Sequence, residues 1–325
     1  MRRTAKVGKK QKILVIGAGD IGRRVIALLR AEHSLTAATS SPAKRSALTA
    51  CGARAVLANL DQPGTLRKLP RDWDAIIHCA PPPAHGLRDT RTRNILRTIA
   101  RSTRRRLNPT EAASLARRHL PTRAFVYLST SGVYGDCAGA LISESRPVHP
   151  QNARAVRRVD AERTLTRSAR LGRFRLAILR VPGIYSGERL PLARLRAGTP
   201  ALSEAYDVHT NHIHAADLAA ITVAALQRTR RRQAPRVRVY HASDDSEMKM
   251  GAYFDMVADA YGLPRPPRLS RAQIAQTVPP ALLSFMRESR RLDNTRLKRE
   301  LGVRLQFPSV ADGVAYAASL TLSKA

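Results

Sequence analysis

Short apolar runs alternate with longer amphipathic segments through the first half of the chain. The clearest run, residues 12–16 (KILVI), is apolar and β-branched and stops at a glycine-rich turn, as a buried parallel strand does. After that turn, apolar residues recur at Ile21, Val25, Leu28 and Leu29, which is the spacing of one helical face. The same criteria predict strands at 12–16, 35–39, 55–60, 74–80, 125–129 and 175–180.

Helical patterns connect many of these runs. Ser41 and Pro42 open one helix with a capping hydroxyl followed by proline in the first turn. Residues 87–106 and 152–171 are also predicted to be helical, and 108–122 is predicted to be an additional helical insertion. Strands that alternate with helices are typical of an α/β fold, and they predict a Rossmann-type, doubly wound parallel sheet.

The pattern changes in the second half, where helical segments predominate. One apolar strand, 237–241, is expected to return to the sheet. We therefore predict a disordered basic tail at 1–11, a Rossmann domain at 12–185 and a smaller, mainly helical C-terminal substrate lobe at 186–325, interleaved with the first domain. Helices are predicted at 190–198, 215–226, 250–261 and 281–301.

A glycine-rich segment, GAGDIG, lies between the first predicted strand and the first predicted helix. In a dinucleotide-binding turn, Gly17 permits the tight turn, Gly19 lets the backbone approach the pyrophosphate, and Gly22 allows close helix–strand packing. The helix N-terminus then presents free N–H groups to the phosphates. A purely structural turn is the alternative, but the strand–glycine–helix context favours a cofactor site. The predicted binding residues are Gly17, Gly19, Asp20, Ile21 and Gly22.

The end of the second strand is where NAD and NADP are distinguished. An acidic residue at this position hydrogen-bonds the ribose hydroxyls of NAD. This chain has no acid there; it has Thr39, Ser40 and Ser41, followed by Lys44 and Arg45. Hydroxyls and cations suit the 2′-phosphate of NADP better, so we predict NADP or NAD with NADP preferred. Ordinary solvated cations remain the alternative interpretation.

Several motifs follow one another in an order found in a known family. They are GAGDIG (17–22), HCAPPP (78–83), YLSTSGVYGD (127–136), LRVPGIYSGER (179–189), NHIHAADLA (211–219), YHASDDSEMKMGAYF (240–254) and RLDNTRLKRELG (291–302). On these segments the chain resembles the extended short-chain dehydrogenase/reductases of the NAD-dependent epimerase/dehydratase type. HCAPPP and RLDNTRLKRELG resemble the atypical, YeeZ-like branch.

The resemblance implies positions for cofactor contacts beyond the glycines. Asp61 would lie near the adenine, Ala80, Pro81 and Pro82 would border the cofactor, and Tyr185 would end a segment beside the nicotinamide. It also implies an oxidoreductase or epimerase acting on a small molecule, with a nucleotide-sugar or another anion as the candidate substrate. A homodimer formed through helices that flank the fifth strand is implied as well.

The family's catalytic tyrosine, with a lysine four residues later, is missing. Aligned on the following helix, Arg154 takes the tyrosine position and Arg158 the lysine position, and no tyrosine in the chain has lysine four residues after it. Arginine stays protonated, so Arg154 cannot act as a general acid or base, whereas Arg158 can bind hydroxyls or phosphate. Thr130 keeps the family's catalytic Ser/Thr position, and Tyr134 and Tyr185 are the nearby phenols that could substitute. An NAD(P)-binding regulatory protein without catalysis is the alternative function.

Charge is the unusual feature of the composition. The chain has 57 Lys and Arg against 24 Asp and Glu, a net charge of +33. Such a surface attracts polyanions, nucleic acid among them. The arginines are nevertheless spread through nearly every segment, aromatic residues make up only 4%, and no nucleic-acid-binding motif accompanies them. We interpret the charge as solvated helix faces, with a polyanion-binding protein as a third alternative.

Cysteine usage and hydropathy set the expected compartment. Cys51, Cys79 and Cys137 are too few and too scattered for a disulfide framework or a zinc site, and the histidines lack a recognised ligand spacing. No apolar run approaches the roughly 18 residues of a membrane span, and no signal-type apolar stretch follows the basic start. We expect a cytoplasmic protein with no metal site and no membrane association.

Overall fold

Seven parallel strands form the central sheet of the structure, a computed structural model that describes residues 10–104 and 123–322. In chain order the strands are β1 (Gln11–Ile16), β2 (His33–Thr39), β3 (Arg54–Leu57), β4 (Ala75–His78), β5 (Ala124–Thr130), β6 (Arg175–Val181) and β7 (Val237–His241). Across the sheet they run β7-β6-β5-β4-β1-β2-β3, and every neighbouring pair is parallel. The predicted Rossmann-type sheet is confirmed.

Helices cover the sheet and make up much of the second half. The α-helices of the described residues are α1 (Asp20–Leu29), α2 (Arg45–Ala50), α3 (Thr90–Arg104), α4 (Ala153–Arg170), α5 (Leu192–Arg196), α6 (Ala215–Arg230), α7 (Met250–Ala260), α8 (Arg271–Thr277), α9 (Pro280–Phe285), α10 (Thr295–Leu301) and α11 (Val310–Leu322). Among these residues no helix is both long enough and apolar enough to span a membrane. The insertion predicted at 108–122 and most of the predicted tail lie outside the described ranges.

Both faces of the sheet are buried, which explains why its central strands β1, β4 and β5 contain continuous apolar runs rather than alternating residues. On one face, α1 and α6 pack through residues such as Val25 and Leu218, both at most 1% exposed. On the other face, α3 and α4 contribute Ile95 and Leu165 to a second buried cluster. This two-sided burial leaves the carboxyl ends of the strands as the free edge at which a site can form.

Four short strand pairs of the described residues organise the second half of the chain; two of them join it to residues before 186, and two lie within it. The antiparallel pair is His209–Thr210 with Met248–Lys249, and the parallel pairs are Gly183–Tyr185 with His212–His214, Ala201–Leu202 with Arg268–Leu269, and Leu141–Ile142 with Arg291–Leu292.

The last of these pairs corrects the single helix predicted over 281–301. The chain forms α9, leaves the helix, pairs as a strand at Arg291–Leu292 and becomes helical again in α10. The departure buries Arg290, whose Nη1 donates to the Gly135 carbonyl at 3.2 Å and pairs with Glu288 at 3.0 Å. Helical periodicity does not reveal this, because the partners of the segment lie about 150 residues earlier in the chain.

Candidate functional site

A cavity of about 540 Å³ lies beyond the carboxyl ends of β1 to β6. The chain runs from β1 outward to β3 and then crosses back to β4 on the other side of β1. Ligands of open α/β sheets bind at such a reversal of strand order. The lining residues are Ile16, Gly17, Ala18, Gly19, Asp20, Ile21, Gly22, Ala38, Thr39, Ser40, Lys44, Ala58, Asn59, Leu60, Cys79, Ala80, Pro81, Arg91, Leu128, Ser129, Thr130, Arg154, Arg158, Val181, Pro182, Ile184 and Arg189.

Three glycines lie in the turn after β1 and the first turn of α1, and each is required for a different reason. Gly17 has a φ of +84°, and a Cβ there would lie 2.4 Å from the Ala80 nitrogen. A Cβ on Gly22 would lie 2.8 Å from the Gly17 carbonyl oxygen. A Cβ on Gly19 would meet no atom of the described chain within 4 Å, although Gly19 lines the cavity. The fold itself therefore requires Gly17 and Gly22, whereas Gly19 keeps its backbone open towards a ligand.

The first turn of α1 faces the cavity and carries one acidic side chain. Asp20 receives a hydrogen bond from Arg24 Nε at 2.8 Å and lies 3.3 Å from Arg189 Nε. Arg189 belongs to the short turn Gly187–Arg189, which follows β6 in the chain. The two cations offset the carboxylate, so the positive end of the helix dipole remains available to an anion.

At the end of β2, part of the predicted ribose-binding set reaches the cavity. Thr39, Ser40 and Lys44 line it, whereas Ser41 and Arg45 do not. The Ser41 amide donates to Thr39 Oγ1 at 3.2 Å, which closes the turn and sets the direction of the following residues. The cation at this end of the cavity is thus Lys44 rather than Arg45.

The wall beyond β3 contains an ion pair that sequence patterns did not indicate. Arg91 binds Asp61 through two hydrogen bonds of 2.8 and 2.6 Å and donates to the Pro81 carbonyl at 3.1 Å. The hydrogen bond from Arg91 lowers the pKa of Asp61. Arg91 and Asn59 line the cavity, while Asp61 and Pro82 do not. Nothing in the sequence links residues 61 and 91, because only the fold brings α3 beside the end of β3.

The opposite end of the cavity contains the predicted catalytic position. Thr130 ends β5, and its Oγ1 accepts a hydrogen bond from the Gly132 amide at 3.2 Å. Because the oxygen is the acceptor, the hydroxyl proton is free to be donated into the cavity. Arg154 and Arg158 line the same end. Three of the four predicted catalytic residues therefore lie together.

The two phenols considered as substitutes for the catalytic tyrosine are engaged elsewhere. Tyr134 does not line the cavity; its hydroxyl lies 2.6 Å from both Arg180 Nη1 and His241 Nε2. Burial raises its pKa to about 12. Tyr185 also lies outside the lining, donates to the Ser309 carbonyl at 3.1 Å and has its pKa raised by burial. The structure thus brings neither phenol to Thr130.

Proton-exchanging groups are scarce along the lining. Asp20 is the one carboxylate among the described lining residues, and it is paired with arginine at the glycine end. Burial raises the pKa of Cys79 to about 12. The side chains beside Thr130 are arginine, serine and apolar groups, so this end of the cavity can donate hydrogen bonds and bind negative charge.

Comparison with known families decides the assignment. The model of the NAD dependent epimerase/dehydratase family matches residues 13–240, more than half of the chain. The chain belongs to this family. The match spans all seven strands of the sheet, so the resemblance drawn from the motifs is confirmed. The YeeZ-like branch stays a prediction.

Solved structures share the fold of this epimerase/dehydratase family member along nearly its whole length. A functionally unknown conserved protein from Silicibacter pomeroyi DSS is 24% identical with a TM-score of 0.72, covering 96% of this chain and 99% of that one. A UDP-galactose 4-epimerase is 18% identical with a TM-score of 0.71 and the same coverage. MoeE5 in complex with UDP-glucose and NAD is 18% identical with a TM-score of 0.69, again covering 96% and 99%. Comparison with curated proteins gave no match.

Proposed function

We propose that this epimerase/dehydratase family member binds NAD or NADP in the cavity at the carboxyl ends of the strands. The observation that carries the proposal is Gly19, which lines the cavity at the N-terminus of α1 and whose Cβ position meets no atom of the described chain. A backbone that must lie against a pyrophosphate needs that freedom, and the helix N-terminus supplies the N–H groups. The family assignment supports the same ligand.

The cavity residues suggest how the dinucleotide would lie. The adenosine half would face Ser40, Lys44 and Asn59, and the nicotinamide half would extend past Ala80 towards Thr130. When bound, the nicotinamide ring supplies hydride transfer. Calorimetric titration of NADPH and NADH into the full-length protein tests the proposal. Absence of binding by the folded protein would show that it is wrong.

Lys44, the cation that lines the cavity after β2, makes NADP the preferred dinucleotide in this proposal. We expect Lys44→Gln to weaken NADPH binding roughly tenfold and to leave NADH affinity nearly unchanged, because a contact between a cation and the 2′-phosphate is lost. Arg45→Gln is the matched control, since it removes the same charge from the next residue, which does not line the cavity. Equal effects of the two substitutions on NADPH would mean that general surface charge, not a phosphate contact, sets the affinity.

For the reaction, we propose an oxidoreductase or epimerase acting on a small molecule, in which Thr130 donates its hydroxyl proton as a hydrogen bond to the substrate. A nucleotide-sugar is the substrate class to test first, because the MoeE5 structure contains UDP-glucose. A second function, NAD(P) binding without turnover, is favoured by the lack of a proton-exchanging side chain beside Thr130 among the described lining residues.

One experiment separates the two functions. The protein loaded with NADP is mixed with UDP-glucose, and the absorbance of the reduced nicotinamide is followed. A transient or lasting signal that is absent from Thr130→Val indicates hydride transfer at this site. Tight dinucleotide binding with no signal for this or any other small molecule screened supports the non-catalytic function. The homodimer through α4 stays a prediction that analytical ultracentrifugation can test.

A further inference from the structure

Two arginines one helical turn apart line the Thr130 end of the cavity. Residues four apart on a helix lie on the same face, so Arg154 and Arg158 of α4 present neighbouring guanidinium groups. Arg158 is 6% exposed; its Nη1 donates to the Leu128 carbonyl at 2.7 Å and to the Tyr127 hydroxyl at 3.0 Å. The buried Nε of Arg158 has no hydrogen-bond partner in the described chain. Its contacts are therefore with neutral oxygens only, and part of its donor capacity is unused.

No carboxylate of α4 neutralises this pair. Asp160 accepts from Arg93 at 2.6 Å, and Glu162 binds Arg180 at 2.8 Å. Arg154 forms no hydrogen bond or ion pair with the residues that the structure describes. The buried Asp89 carboxylate interacts electrostatically with Arg158, but its oxygens accept hydrogen bonds from Thr92. Neither arginine at the Thr130 end therefore forms an ion pair with a carboxylate of the described residues.

The two other arginines of the lining differ in this respect, whereas Lys44 at the end of β2 also forms no ion pair with the described residues. Arg91 is paired with Asp61, and Arg189 lies beside Asp20. Among the lining arginines of the described chain, those without an ion pair therefore lie at the Thr130 end.

Holding two like charges together at this position costs stability. Desolvation lowers the pKa of Arg154, and so do the charges of Arg158 and Arg157. Like charges four residues apart also destabilise a helix. An oxyanion between the two guanidinium groups would remove this repulsion and accept hydrogen bonds from both planar donor forks.

We propose that Arg154 and Arg158 bind a carboxylate or phosphate group of the substrate, beside the Thr130 hydroxyl. The proposal rests on the proposed function, in which the dinucleotide pyrophosphate occupies the glycine end and leaves this end to the second ligand. The part of the substrate that lies beside Thr130 then carries a negative charge.

Anion binding to the full-length protein tests this assignment. Malonate and inorganic phosphate serve as probes for the two oxyanion types, titrated with and without saturating NADPH while chloride keeps the ionic strength constant. We expect at least one probe to bind when the dinucleotide is present. In Arg154→Gln that affinity should fall roughly tenfold or more, because a charge-assisted contact is lost. NADPH affinity should stay within about threefold of the wild type.

Arg163→Gln is the matched control, because Arg163 lies on the same helix, is exposed and does not line the cavity. Equal probe binding by wild type and Arg154→Gln, or no probe binding to the dinucleotide complex, would overturn the assignment. A parallel loss of NADPH affinity in Arg154→Gln would also overturn it and place Arg154 in the dinucleotide site. If a probe binds through Arg154 but no dinucleotide binds, the arginine site stands and the proposed function fails.

Discussion

Gly19→Val is expected to reduce dinucleotide affinity by ~100-fold or more while the protein stays folded. The φ of Gly19 is −75°, outside the left-handed region. The added side-chain atoms start from a Cβ position that has no atom of the described chain within 4 Å. They would instead occupy the space where the pyrophosphate approaches the start of α1. The loss corresponds to about 3 kcal/mol of binding free energy. Calorimetry with NADPH and NADH, together with a thermal melt, measures both effects.

Two further glycines make this experiment specific. The Cβ position of Gly64 also has no atom of the described chain within 4 Å, but Gly64 lies outside the cavity, so Gly64→Val should leave binding unchanged. Gly17→Ala should lower the melting temperature, because its Cβ would collide with the Ala80 backbone at a φ of +84°. Wild-type affinity in a folded Gly19→Val variant would refute the binding mode, since the glycine would then be a structural turn only.

Glu162→Leu is expected to destabilise the fold by about 3–5 kcal/mol. Glu162 and Arg180 are bonded at 2.8 Å with side-chain exposures of 7% and 8%, and Ser129 Oγ donates to the same carboxylate at 2.6 Å. Removing the carboxylate leaves the Arg180 guanidinium buried without a counter-charge, and arginine does not escape by deprotonation. Urea-induced unfolding followed by circular dichroism measures the shift in midpoint.

The exposed Asp259–Arg265 pair provides the comparison. Its side chains are 51% and 63% exposed, so Asp259→Leu should leave the unfolding midpoint almost unchanged. If Glu162→Leu were no more destabilising than Asp259→Leu, the Glu162–Arg180 pair would contribute little, and Tyr134 would not be held by a rigid network. In that case Tyr134 would again become a candidate for movement towards the cavity.

Local sequence patterns were sufficient for the strands of the central sheet and for the glycine turn after β1. Apolar runs such as 12–16 are bounded by turns, and GAGDIG places a tight turn, an open backbone and a close helix contact within six residues. The predicted strand ends differ from the observed ones by only a few residues. The strand predicted at 55–60 ends at Leu57, and the strand predicted at 74–80 ends at His78. These features depend on residues adjacent in the chain, so a sequence contains them.

Local sequence patterns did not predict contacts between residues that are distant in the chain. The partner of Asp61 is Arg91, and the partners of Tyr134 are Arg180 and His241, which lie 46 and 107 residues away. A sequence rich in arginine offers many equivalent partners, and which one is used depends on the packing of helices against the sheet.

The sequence by itself determined that this protein has a doubly wound sheet with a glycine loop, because these properties are local in the chain. The alignment of Arg154 and Arg158 with the tyrosine and lysine positions of the family comes from motif order and stays a prediction. Only the tertiary structure decided that Lys44 rather than Arg45 faces the cavity, and that Tyr134 is held by Arg180 and His241 away from Thr130. The direction of a side chain and the pairing of its charge are set by elements that meet only when the sheet is assembled.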